Sequence, residues 1–265
     1  MPFPKYFGRW TFDKTHASRE QIAQLKQYLL TLYRSGKIDD FDFDALERLT
    51  AKGLAFESNI PQGYGVGSSG SVTAAVYDLF YNHKDQLSIT ELKSTLGLIE
   101  SCYHGKSSGI DPLVSYLGQP ILLHNKESIE LLDTINQEIN RSIFLIDTKI
   151  QRSTAPLVEA YQVTRRENAE FIMKMQHIAE VNDALIDSYL IDNRDLFSAK
   201  MKELSKSQYD TMSMMIPPQY KEMWKTGLVS GAYSMKINGA GAGGFLMVMK
   251  HDDQCLQSEE LISIG

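Results

Sequence analysis

Gly63, Gly65 and Gly67 alternate along the chain and run into Ser68, Ser69 and Gly70, after a stretch with strand alternation and ahead of one with helical periodicity. Residues without bulk let a backbone approach a ligand closely, and the unpaired amides and positive dipole end of a helix favour phosphate. Anion binding is the chemistry this spacing points to, against the alternative of a plain turn. Further on, ESCYHGKSSGID runs from Glu100 to Asp111. Phosphoryl transfer needs an oxygen ligand for Mg²⁺, a carboxylate near the acceptor hydroxyl and donors that hold the γ-phosphate, and this segment has carboxylates to supply. Each residue alone also has an ordinary reading: Glu100 ending a helix in solvent, His104 on the surface, Asp111 ahead of Pro112 starting a turn.

Generic patterns narrow this less than they first promise. Gly65, Gly67 and Gly70 satisfy GxGxxG, and so do Gly239, Gly241 and Gly244. A dinucleotide fold, however, needs a second parallel strand ending in an acidic residue about 20 residues on, and residues 71–103 read as two successive helices. The GxxxxGK[ST] loop and the HRD and DFG triplets of protein kinases do not occur. DDFDFD at 39–44 resembles the start of a calcium loop, but Ala45 stands where glycine is required and Ala51 where glutamate closes the loop, so it reads as a solvated helix start.

The elements that must carry these residues follow from periodicity. Ser18 with Gln21 has a capping-box pattern, and Ile22, Leu25, Leu29 and Leu32 recur at helical spacing, which predicts a helix over 18–34. GLAFESNIP predicts a strand entering the glycine loop, VTAAVYDLF a helix leaving it, and 89–103 a second helix. YLGQPILL and SIFLIDTKI read as strands, and QEIN separates a helix from a strand, which places a domain boundary near 138–140. RSTAPLVEAYQ opens a helix, and a longer one follows with Phe171, Met175, Ile178, Leu185 and Tyr189 as its core face. Helical segments over 194–215 and 218–230 precede a strand at 233–238 and a buried strand, FLMVM, at 245–249.

The bulk properties bound the function. A chain of 265 residues makes one large domain or two ordinary ones, and 43% apolar with 23% charged residues is a globular composition. A net charge of −6 disfavours nucleic acid as a partner. No stretch approaches 18 apolar residues, so no membrane partner and a cytoplasmic location are expected. Cys102 and Cys255 lie far apart without a CxxC, as reduced, buried thiols would.

Jointly the motifs resemble a known family. PQGYGVGSSGS resembles the second motif of the GHMP kinases, the superfamily of galactokinase, homoserine kinase, mevalonate kinase and phosphomevalonate kinase, and SMKINGAGAGG resembles the third. HGKSSGID is similar to the HGxPSGxD signature of the mevalonate kinase branch, with Ser107 where that branch commonly has proline, and IDTKIQRSTAPLV also resembles a stretch of that branch. The resemblance implies an α+β fold of two lobes, ribosomal protein S5 domain 2-like over 1–138 and ferredoxin-like over 139–265. It implies phosphorylation of a small-molecule hydroxyl, foremost mevalonate, by ATP with Mg²⁺. Asp111 becomes the catalytic aspartate, Ser69 and Glu100 the Mg²⁺ ligands, and Gly63, Tyr64, Gly65, Val66, Gly67, Ser68 and Ser69 the loop around the ATP phosphates, supported by Gly239 and Gly241. Ser108 and Thr154 are weaker candidates for orienting the γ-phosphate or substrate. Family members are often dimers, so a homodimer is one expected assembly.

One motif of the family is not found. Its members open with a strand carrying a PGK-like segment followed by GEH, whose lysine sits beside the catalytic aspartate. Residues 1–60 contain no such run, and Lys5 and Lys14 lack its context. Two expectations compete: a start assigned too late, so that N-terminal strands are truncated and Met1 is internal, or a degenerate member that binds without turnover. The intact remaining motifs favour the first. Losing one preorganised positive group would cost on the order of 10²–10³ in rate, so the 265-residue chain is expected to be poorly active beside an upstream-extended one.

Overall fold

A computed structural model of the protein describes residues 8–12, 16–58, 60–61, 63–124, 128–132, 136–151, 154–252, 256 and 261–264. Its contacts divide the chain into two compact units, Met1–Pro61 with Val66–Asp133 and Gln62–Gly65 with Thr134–Gly265.

In the first unit, helix α1 (His16–Arg34) buries Leu25, Leu29 and Leu32, the stripe that its spacing predicts. The helix starts at His16, so Ser18 lies within its first turn rather than ahead of it, and the side chains of 16–21 fall outside the description. Asp42 caps helix α2 (Phe43–Ala51), its carboxylate accepting from the Ala45 amide at 2.7 Å, so the acidic run is a helix start. Strand β1 (Gly8–Phe12) pairs antiparallel with β2 (Leu54–Ser58), Trp10 opposite Phe56, and the Trp10 ring packs edge-on against Phe56 and Phe80. Helix α3 (Ser68–Phe80) is buried on most sides through Ala74, Ala75, Val76, Tyr77 and Phe80. Each large side chain so buried contributes roughly 1.5–3 kcal/mol of transfer free energy. Helix α4 (Ile89–His104) starts at a capping box made by Ser88 and Glu91. A short helix α5 (Ile110–Leu117) and a hairpin of β3 (Ile121–His124) and β4 (Ser128–Leu131) complete the unit.

In the second unit, β5 (Ile143–Asp147), β6 (Tyr233–Ile237), β7 (Phe245–Lys250) and β8 (Leu261–Ser263) form an antiparallel sheet in the order β6-β7-β5-β8. Around it the chain forms α6 (Gln137–Arg141), α7 (Thr154–Glu167), α8 (Ala169–Leu190), α9 (Arg194–Thr211) and α10 (Lys221–Ser230). Helix α9 carries Ser205 and Gln208 inward: Trp224 Nε1 donates to Ser205 Oγ at 2.9 Å, and the Ile237 amide donates to Gln208 Oε1 at 2.9 Å. These buried polar groups peg the helix to the sheet and to α10 because each is costly to leave unpaired. Mixed helix and sheet in this arrangement is the α+β class expected from the sequence.

Several elements differ from the sequence reading for local reasons. Tyr116 and Leu117 finish α5 rather than open a strand, because Gly118 ends that helix in the left-handed region and β3 begins only at Ile121. QEIN lies inside α6, capped by Asn136, and what precedes it is the β3–β4 hairpin rather than a helix. The helix expected over 194–215 ends at Thr211, and Ser213–Met215 forms a single 3₁₀ turn. Cys102 is a free, partly buried thiol, while Cys255 lies outside the described residues.

Candidate active site

The site builds up from the first turn of α3. Gly67 caps this helix at φ 75°, in the left-handed region that a residue with a Cβ would be strained to adopt. Gly70 permits the closest approach: a Cβ there would lie 2.7 Å from the Asp111 carbonyl carbon and 2.8 Å from the Pro112 nitrogen. The first turn of α5 therefore lies directly on the first turn of α3. Asp111 is exposed in that turn, and a Cβ on Gly67 would lie 3.6 Å from the Asp111 Cβ and 3.8 Å from its Oδ2. The α5 cap, Gly109, has φ 75°, and a Cβ on it would fall 2.1 Å from the Lys93 carbonyl oxygen, so the loop before α5 is seated on α4.

Glu100 projects from the last turns of α4 and is only 4% exposed. Its two oxygens are held by different hydroxyls. Ser69 Oγ donates to Oε1 at 2.9 Å, and Ser107 Oγ donates to Oε2 in a short hydrogen bond. The structure thus overturns the reading of Glu100 as a solvated helix end. It gathers Gly67, Ser69, Glu100 and Asp111 into one cluster of the first unit, together with Ser68 and Val66 on the same loop. Ser108 is exposed beside them, its Oγ accepting from the Ile110 amide at 3.4 Å. The His104 side chain falls outside the description.

Gly63, Tyr64 and Gly65 belong to the second unit, with Gly239 and Gly241. A Cβ on Gly244 would lie 2.1 Å from the Tyr64 carbonyl oxygen, and the Tyr64 ring packs on Phe245 with centroids 5.4 Å apart. The Tyr64 side chain also hydrogen-bonds Asp147. Burial works against the Asp147 charge, yet the Lys149 side chain, amide and charge, with Tyr64, hold its carboxyl below the usual range. The glycine loop at 239–244 is fixed by neighbouring segments: Ala242 N donates to Met215 O, Gly244 N to Ile150 O at 2.9 Å, and Thr148 Oγ1 to Gly244 O at 2.7 Å. Gly241 is buried against the Met215 carbonyl, whereas Gly239 is exposed at φ 58°. Thr154 begins α7, and its side chain is not described.

Ser107 and Asp147 carry no role in the sequence reading. For Ser107 the signal was its departure from the proline of the resembled signature; for Asp147 none was visible, because its partner Tyr64 is remote in the chain. The donor set around Glu100 consists of one carboxylate and hydroxyls, and among the described residues no group of three or more His, Cys, Asp and Glu could hold a metal. An all-oxygen site with one protein carboxylate fits Mg²⁺, which keeps most of its coordination for water and phosphate.

Comparison with known proteins finds relatives in both sequence and fold. Residues 16–119 match the family model described as GHMP kinases N terminal domain. The chain is 27% identical over 208 residues to the mevalonate kinase of Archaeoglobus fulgidus, covering 76% of this chain and 66% of the relative. It is 26% identical over 212 residues to that of Pyrococcus abyssi, with 77% and 61% covered. The chain thus spans less than two thirds of the length of these curated relatives. Among solved structures, the mevalonate kinase of L. major in complex with R-mevalonate superposes with a TM-score of 0.57 at 17% identity, covering 91% of this chain and 72% of that one. Lactococcus lactis galactokinase complexed with galactose gives 0.57 at 16%, covering 89% and 69%. These structures share the fold. Among the described residues no helix is long and apolar enough to cross a membrane.

Proposed function

We propose that this chain, a GHMP kinase relative whose N-terminal domain spans residues 16–119, belongs to a small-molecule kinase that phosphorylates mevalonate from ATP. The observation that carries the proposal is Glu100: a buried carboxylate joined to Ser69 at the start of α3, in the same cluster as Asp111. In-line phosphoryl transfer requires positioning and charge neutralisation rather than a covalent intermediate, and this cluster has the groups for both.

In this reading the amides at the start of α3, with the loop from Gly63 to Ser69, hold the phosphates of ATP. Ser69 and Glu100 hold Mg²⁺. When bound, the cation neutralises charge that develops on the phosphate oxygens. Asp111 stands next to Gly67 and accepts the proton of the attacking hydroxyl, its exposure leaving room for an acceptor. Ser108 and Thr154 orient the γ-phosphate or the acceptor, and Gly239 and Gly241 shape the loop beside Tyr64. Mevalonate is the acceptor favoured by HGKSSGID and by the mevalonate kinases among the relatives.

The test is an acceptor screen with ATP and Mg²⁺, following product by mass spectrometry. Formation of 5-phosphomevalonate is the expected result. Phosphorylation of galactose or homoserine instead would move the substrate within the family. ATP binding with no acceptor phosphorylated would replace turnover by nucleotide binding, a reading consistent with the unmatched lysine motif.

A further inference from the structure

Ser107 stands where the resembled signature has proline, a residue with neither an amide hydrogen nor a hydroxyl. Both groups are used here. The Ser107 amide donates to Ser101 Oγ at 3.1 Å, and the Ser107 hydroxyl donates to Glu100 Oε2. The same hydroxyl oxygen accepts from the Gly109 amide at 2.9 Å. A serine hydroxyl has one hydrogen, and a carboxylate only accepts, so the Gly109 amide occupies a lone pair and the hydrogen is committed to Glu100.

This places one side chain between the two helix ends that carry the carboxylates. Glu100 lies near the end of α4, Gly109 caps α5, and Asp111 follows in the first turn of α5. With Ser69 on Oε1 and Ser107 on Oε2, neither carboxylate oxygen can turn without breaking a hydrogen bond. Each oxygen keeps a further lone pair for a ligand.

We propose that Ser107 is a positioning residue that locks the Glu100 carboxylate in one rotation and so sets its affinity for the divalent cation. The proposal deepens the functional reading above and rests on it. Partners that orient a metal-ligating carboxylate typically change metal affinity 10–100-fold when removed.

The experiment is binding of Mn²⁺, as a paramagnetic stand-in for Mg²⁺, to the protein with ADP, read by electron paramagnetic resonance, alongside binding of fluorescent ADP without cation. Ser107→Ala is expected to weaken Mn²⁺ binding roughly tenfold or more. It should leave cation-free ADP binding within about twofold, and Ser107→Thr, which keeps the hydroxyl, should restore Mn²⁺ binding. Equal Mn²⁺ affinity in Ser107→Ala and the parent, or a threonine variant as weak as the alanine one, overturns the proposal. So does an equal loss of ADP binding without cation, which is the mark of general damage. Should Ser107→Ala not fold, the threonine variant and Ser107→Cys, whose thiol is a weak donor, decide by the same ordering. The functional reading fails separately: the parent protein with ADP would then bind no Mn²⁺ at all, or would bind it unchanged in Glu100→Gln.

Discussion

Gly70 is the position at which helices α3 and α5 come too close for any side chain, since a Cβ would meet the Asp111 carbonyl carbon and the Pro112 nitrogen below 3 Å. Both obstacles are backbone and cannot swing aside. Gly70→Ala should therefore push the first turn of α5 away, costing about 1–3 kcal/mol as overpacking does. Because Asp111 sits in that turn, turnover should fall more than stability alone accounts for; urea unfolding beside a turnover assay checks this. Asp111→Asn makes the complementary test, removing a base without moving a helix. If Asp111 accepts the acceptor proton, the rate should drop roughly 10²–10⁴-fold while ATP affinity changes little. An unchanged rate constant would take Asp111 out of that role. The two variants separate geometry from proton transfer at the same place.

At the scale of elements, the second unit is held by polar pegs between helix and sheet, and one of them titrates. His251, just after β7, pairs through Nδ1 with Ser198 Oγ of α9 at 2.9 Å and through Nε2 with Ser234 Oγ of β6 at 2.8 Å. Burial, and then the charge of Lys202, push its pKa down to about 4 from the ordinary 6.5. The unfolded chain takes up a proton as pH falls below about 6.5 while the folded one does not until about 4, so the stabilisation is complete above that window and lost through it. His251→Gln should thus lose less stability between pH 7.5 and 5 than the parent, by about 1 kcal/mol allowing for partial exposure, in urea midpoints at the two pH values. These elements differ in how far the sequence discloses them. Helices α1, α3, α4 and α8 were legible because each repeats its apolar face over several turns. Helix α5 was not, since eight residues with Pro112 inside read equally well as a turn, and β1 and β8 are short strands defined by their partners. In the site, Ser69, Glu100 and Asp111 stood out by motif. The burial of Glu100 and the hydroxyl of Ser107 on it arise only once α4 and the loop before α5 meet.

At the scale of the whole molecule, each unit has a core of its own. Leu29, Tyr77, Phe80, Leu96, Ile99 and Leu113 belong to the cluster of the first unit, whereas Trp224, Met235, Leu246 and Val248 belong to a cluster built on the sheet of the second. Trp224 is fully buried, and its indole nitrogen donates to Ser205, so truncating it opens a large cavity and removes a buried hydrogen bond, leaving the Ser205 hydroxyl with the Met235 amide at 3.1 Å. Trp224→Ala should cost about 3–5 kcal/mol, a large share of the stability of a domain of ordinary size. The loss should not be uniform along the chain, because cooperative units open according to the core that each contains. Hydrogen exchange resolved by peptide should show protection falling in α9, α10 and β6, which surround the indole, while α1, α3 and α4 keep theirs. A uniform fall across both sets of peptides would mean that the chain unfolds as one cooperative body. The site cluster of Ser69, Glu100, Ser107 and Asp111 lies wholly in the first unit, so under the expected pattern its hydrogen bonds survive the loss of Trp224, and exchange of the α3 and α4 peptides that carry Ser69 and Glu100 reports that.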